Sequence, residues 1–183
     1  SGTFLVEAAM IGANIPANIN REHFAFQDWP DYDEVLWKLI RSSQLKRAQD
    51  CYGRVIGYDL NPDTVASAKL NIANSGLEDY IEIHCENFFE TKKPEGPTHL
   101  VFNPPYGVRI QGDIPEMYKS IGDTLKKNYS GAEAWFLTSH MDGLKHVGLR
   151  ASRKIEIYQA KLECRFVKYE MYQGSKKMKY KQV

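Results

Sequence analysis

The chain has 183 residues, 43% of them hydrophobic, with 24 Lys and Arg against 23 Asp and Glu, enough apolar material for one core, which excludes a disordered or fibrous class. Its longest apolar runs, such as FLVEAAMI from Phe4 to Ile11, are broken by charge and fall short of the roughly 20 residues of a membrane span. The opening Ser-Gly-Thr reads as carrying no signal peptide, so neither a membrane protein nor a secreted one is expected.

In chain order, residues 3–13 (TFLVEAAMIGA) are helix formers, apolar nearly all round, and predict a buried helix. Residues 14–53 alternate Asn, Pro, Asp and aromatic side chains and read as an inserted segment, with a helix over Asp33 to Asp50. Its aromatic residues Phe24, Phe26, Trp29 and Trp37 are expected to pack rather than to meet a ligand. RVIGYD, Arg54 to Asp59, predicts a short strand closing on an acid. Asn61 suits a helix cap, Pro62 the first helical position and Gly76 the stop, so a helix over residues 62–75 is expected. YIEIHC, THLVF and AWFLTS predict three more strands, with a helix over Ile114 to Asn128 between the last two. KIEIYQ and ECRFVKYEM alternate like strands and predict a hairpin turning at residues 160–162.

Strands alternating with helices point to an α/β fold with a mostly parallel sheet. In such a sheet the first helix follows a first strand, yet this chain opens at the helix. Ser1, Gly2 and Thr3 read as the second half of a glycine-rich turn, so the first strand is missing and the chain reads as a fragment of a longer protein. Three cysteines, Cys51, Cys85 and Cys164, form no CxxC pair and are expected as reduced thiols in the cytoplasm. His84 and Cys85 are neighbours on a strand and point to opposite faces, so no metal site is expected. Residues 145–183 hold 11 Lys and Arg against 3 Glu, ending in Lys176, Lys177, Lys179 and Lys181; this end is either a patch for a polyanion or a solvated tail.

Open α/β sheets bind ligands where strand carboxyl ends meet loops and helix starts. Asp59, followed by Leu60, can accept two hydrogen bonds from the vicinal hydroxyls of a ribose; it can equally be a helix-start acid. Asn87 and Phe88 offer an amide for an adenine edge and a ring for its face, although a Phe in this position is more often core. The third strand end carries the most information. In HLVFNPPYGVRI, Pro105 lacks an N–H and biases Pro104 away from helical angles, so the chain leaves Phe102 extended with carbonyls unpaired. The Asn103 side-chain oxygen and the Pro104 carbonyl can then aim at one exocyclic amino group, with Tyr106 as a stacking face worth about 1–3 kcal/mol.

SGTFLVEAAMIGANI, NREHFAFQDWP, VIGYDLNPDTVASAKLNIANSGL, LVFNPPYGVRI and AKLECRF together resemble the bacterial THUMP-containing guanine-N2 methyltransferases of large-subunit ribosomal RNA, over essentially the whole chain. The resemblance implies a Rossmann-like class I methyltransferase domain over residues 1–183, with a C-terminal antiparallel strand and S-adenosylmethionine as cofactor. It implies RNA as partner and transfer to an exocyclic amino nitrogen, guanine N2 above all. It assigns Ser1, Gly2 and Thr3 to the methionine part of the cofactor, Asp59 to the ribose, Asn87 and Phe88 to the adenine, and Leu60 to cofactor binding beside Asp59. The family's usual Asp-Phe is Asn-Phe here, which keeps an acceptor and adds a donor. Asn103, Pro104, Pro105 and Tyr106 form the catalytic string, with Asn103 also beside the cofactor. The NPPY string alone is shared with adenine-N6 DNA methylases and glutamine-N5 protein methylases. Adenine-N6 methylation of DNA is therefore the alternative activity, and a non-catalytic RNA-binding piece the alternative of another class. Oligomeric state is not legible.

Overall fold

Asn61, Pro62 and Gly76 act as their chemistry dictates. The Asn61 side-chain oxygen accepts from the N–H groups of Asp63 at 2.8 Å and Thr64 at 3.3 Å, Pro62 opens the helix, and Gly76 closes it in the left-handed region at φ 66°. The computed structural model describes residues 1–104 and 113–172, in two compact units, Ser1–Phe88 and the chain from Phe89 on.

The first unit contains helix α1 (Thr3–Gly12), helix α2 (Glu34–Leu45), strand β1 (Val55–Asp59), helix α3 (Pro62–Ser75) and strand β2 (Ile81–Cys85). β1 and β2 pair in parallel, with Asp59 opposite Cys85. Ala9, Ile72, Leu77 and Ile81 form its core, with Leu5, Val6 and Met10 packed against it. α1 therefore buries one side, not its whole circumference as its composition suggests: Phe4 is 56% and Ile11 79% exposed. α2 starts as expected, with the Asp33 carboxylate accepting from the Leu36 N–H at 2.9 Å. It ends five residues before Asp50 because tertiary bonds claim the backbone beyond it. The Gln49 N–H donates to the Ala13 carbonyl, and the Asn14 amide to that of Arg47. Phe24, Phe26, Tyr32 and Trp37 pack ring against ring, but Trp29 does not join them and is 63% exposed.

The second unit contains β3 (His99–Phe102), α4 (Ile114–Asn128), β4 (Glu133–Thr138), β5 (Arg153–Gln159) and β6 (Leu162–Glu170), in the sheet order β3-β4-β6-β5. β3 and β4 are parallel, and β6 is antiparallel to both its neighbours, so it alone opposes the other three strands of this sheet. The hairpin turns at Ala160, whose φ of 53° is the left-handed value such a tight reversal requires. Tyr118, Leu125, Phe136, Val147, Val167 and Tyr169 are the core, and Gly122 lets α4 approach Val147 so closely that an added Cβ would sit 1.8 Å from its carbonyl oxygen. Among the described residues no helix is long and apolar enough to cross a membrane.

Candidate active site

In the first unit the candidate groups gather at the carboxyl ends of β1 and β2. Asp59 is half-buried, and its Oδ1 accepts from the Asn61 N–H at 2.9 Å, which orients the carboxylate through the turn into α3. Its Oδ2 takes no hydrogen bond among the described residues, so an acceptor with two lone pairs stays open to a diol. Leu60 is 70% exposed beside it. The Asp59 carbonyl accepts from the Glu86 N–H at 3.1 Å, which ties the β2 end to the β1 end just before Asn87 and Phe88, both half-buried. Ser1 to Thr3 are anchored elsewhere in the unit. Asn71 of α3 donates to the Ser1 carbonyl at 2.9 Å, and Gly2, at φ 74°, lies where a Cβ would meet Ala68 at 3.1 Å. No hydrogen bond joins them to Asp59 among the described residues.

In the second unit the parallel register of Phe102 with Phe136 puts the carboxyl ends of β3 and β4 side by side. Asn103, next after β3, is exposed, and its amide makes no hydrogen bond among the described residues; Pro104 is buried. Phe102 is braced against the Phe136 ring at 5.1 Å, and Phe136 stacks on Tyr169 at 5.5 Å. Burial pushes the Tyr169 phenol up to about 12, with Tyr118 adding to it, so this ring is neutral packing. Pro105 and Tyr106 lie outside the described residues, as does the lysine-rich end from Lys176 to Lys181.

Three residues at this rim were not signalled by the sequence. The Tyr118 hydroxyl of α4 and the Thr138 hydroxyl closing β4 hydrogen-bond in the interior, and Thr138 Oγ1 also accepts from the His140 N–H at 2.9 Å. The Tyr118 and His140 rings meet edge to face at 6.5 Å. Burial pushes the Tyr118 phenol up, partly offset by the Thr138 bond, so it acts as a neutral tether between α4 and the loop after β4. The Thr-Ser-His run that closes a predicted strand was the available clue. Among the described residues no group of three or more His, Cys, Asp or Glu could hold a metal ion.

The first rim holds a carboxylate with one oxygen open, and the second an amide without a hydrogen bond among the described residues. A family model described as an RMKL-like methyltransferase domain matches residues 1–168. A ribosomal RNA large subunit methyltransferase K/L from Shewanella frigidimarina is 30% identical over 182 residues, 96% of this chain and 25% of its own length. The chain thus spans about a quarter of that curated relative. A structure described as a putative methyltransferase complexed with SAH is 30% identical, with a TM-score of 0.84 over 95% of this chain and 46% of that one. A structure from Listeria monocytogenes, described as a predicted N6-adenine-specific DNA methylase, is 26% identical, with a TM-score of 0.77 over 95% of this chain and 44% of that one.

Proposed function

The chain belongs to the RMKL-like methyltransferase domain family, and from that membership we propose that it serves methyl transfer from S-adenosylmethionine to guanine N2 in large-subunit ribosomal RNA. Residues 1–183 act together as the methyltransferase domain in this reading. The observation that carries it is Asn103: an exposed amide with no hydrogen bond among the described residues, directly before a buried proline at the end of a parallel strand.

The cofactor would supply a methyl group on a sulfonium centre. Asp59 Oδ2 would accept from the ribose hydroxyls, since Oδ1 is committed to Asn61. Asn87 and Phe88 would meet the edge and face of the adenine, and Ser1, Gly2 and Thr3 the methionine part. The donor set fits: an open carboxylate oxygen for a diol, an amide for an amino group, a ring for a ring. Asn103 and the Pro104 carbonyl would each accept a hydrogen bond from the guanine amino group and so aim its lone pair, otherwise delocalised, at the methyl carbon. Tyr106 would stack on the ring. The amine would take the methyl group as the sulfur keeps the electrons of its bond to carbon, and, acidic once alkylated, would lose its proton to water. Positioning supplies most of the gain, up to about 7–11 kcal/mol for well-oriented reactants. A normally stacked guanine must first be splayed out, at a cost of a few kcal/mol.

Work on ribosomal RNA together with the free thiols of Cys51, Cys85 and Cys164 agrees with a cytoplasmic setting. The description of the Listeria relative favours a second reading, methylation of adenine N6 in DNA. Tritiated methyl donor offered with ribosomal RNA or DNA, followed by nucleoside analysis, separates the two. The expected product is N2-methylguanosine in RNA; N6-methyladenine in DNA, or no transfer, would refute the first reading.

A further inference from the structure

We propose that the open groove between the loop after β4 and strands β5 and β6 is a second contact for the RNA strand, holding a nucleotide next to the one methylated. The proposal rests on the RNA-methylating reading above. The groove has a volume of about 250 Å³ and is lined by Met141, Leu144, Lys145, Lys154 and Arg165. Arg165 lies opposite Thr138, the last residue of β4, while Met141, Leu144 and Lys145 belong to the loop and 3-10 turn that follow it. The groove therefore opens near the rim that carries Asn103. With strands about 4.8 Å apart, β6 stands about 10 Å to the side of β3, a distance that suits a nucleotide flanking the target.

Its chemistry is that of a single-strand contact: apolar side chains for the face of a base and cations for the backbone beside it. No acid lines it. Two of the three cations are already engaged, Lys145 by Asp142 at 2.7 Å, and Arg165 by Glu163 at 2.7 Å and Glu156 at 3.2 Å. Lys154 differs. It is exposed, and no carboxylate lies within 4.0 Å of its ammonium among the described residues, so its charge is available to a phosphate. The surroundings strengthen the field. Residues 150–168 carry six Lys and Arg against two Glu, and both glutamates are held by Arg165. Arg150, Arg153 and Lys161 are exposed as well, and none of them has an ion pair among the described residues. A polyanion gains from such a surface by releasing counterions.

The test is fluorescence anisotropy of a labelled single-stranded ribosomal RNA fragment with the 183-residue chain and its Lys154→Ala and Lys154→Glu variants over a range of salt. S-adenosylmethionine affinity is measured in parallel by calorimetry. Lys154 is a surface residue, so both variants should fold, which an unchanged urea denaturation midpoint verifies. The expected result is RNA binding weakened about threefold by Ala and about tenfold by Glu, with the salt slope reduced by about 1 in the Ala variant. If the parent chain binds RNA and both variants match it, the groove is no RNA contact, while the methylation reading stands. If the parent neither binds RNA nor methylates it, that reading fails and the groove proposal falls with it.

Discussion

At the ends of β1 and β2 the polar groups are set by nearby backbone: Asp59 by the Asn61 N–H, and Asn61 in turn by the first amides of α3. At the ends of β3 and β4 the setting is remote and interior, through the Tyr118–Thr138 hydroxyl pair and the Phe102, Phe136 and Tyr169 rings. The first arrangement is made by hydrogen bonds among a few consecutive residues. The second transmits any disturbance of the core, because close-packed rings and backbone have no room to yield. In the proposed reaction the first rim only has to hold a cofactor, whereas the second has to aim an amine.

The comparison is tested most severely by adding one methyl group to each unit. Gly122→Ala would drive a Cβ to 1.8 Å from the Val147 carbonyl oxygen, a backbone obstacle, and is expected to destabilise the fold by about 3 kcal/mol. Gly57→Ala meets only the end of the Leu5 side chain, at 2.4 Å, which can turn aside, and should cost about 1 kcal/mol. Urea denaturation measures both, and equal losses would remove the contrast. Asn61→Ala, which deletes the α3 cap but keeps the N–H at position 61 that Asp59 accepts from, should cost about 1 kcal/mol and leave cofactor affinity within a few-fold; a loss of about tenfold would show that the side chain, not the N–H, sets the carboxylate.

The smallest effects are pH-dependent and have opposite signs. In the first unit, hydrogen bonding from Arg54 holds the Glu82 carboxyl below its ordinary value. The pair's contribution is therefore present above the ordinary glutamate value and lost as pH falls through the lowered one. In the second, hydrogen bonding to Glu133 raises the Lys168 ammonium. That contribution is complete below the ordinary lysine value and lost as pH rises through the raised one. Glu82→Gln should flatten the acid side of the stability curve and Lys168→Met the alkaline side, each by a small amount because the glutamates involved are partly exposed. A curve unchanged by either variant would remove that pair from the account.

Local chemistry made much of the fold readable. Caps and stops announced α3, the helix from Ile114 to Asn128 was legible to the residue, and alternation with a short gap gave the β5–β6 hairpin. What escaped was tertiary. The end of α2 is decided by an Ala13 carbonyl more than 30 residues upstream of Gln49, and the one-sided burial of α1 by neighbours that composition cannot name. At the site, Asp59 and Asn103 stood out through their neighbours, the acid closing a strand just before a helix start and the amide standing before two prolines. Tyr118 and Thr138 did not, since a tyrosine on an amphipathic helix and a threonine closing a strand are ordinary until the sheet register brings them together. Lys154 was one lysine among many until the structure showed its neighbours committed to other partners.

The central proposal is a division of labour in which Asp59 would hold the donor and Asn103 would aim the acceptor. It is tested most directly by measuring cofactor affinity and turnover at saturating cofactor for Asp59→Ala and Asn103→Ala side by side. The account predicts a crossed pattern. Asp59→Ala should lose about tenfold or more in affinity with turnover largely kept, and Asn103→Ala about a hundredfold or more in turnover with affinity within a few-fold. If both variants lost affinity and turnover in parallel, the two residues would be parts of one binding element and the assignment of Asn103 to the chemical step would be wrong.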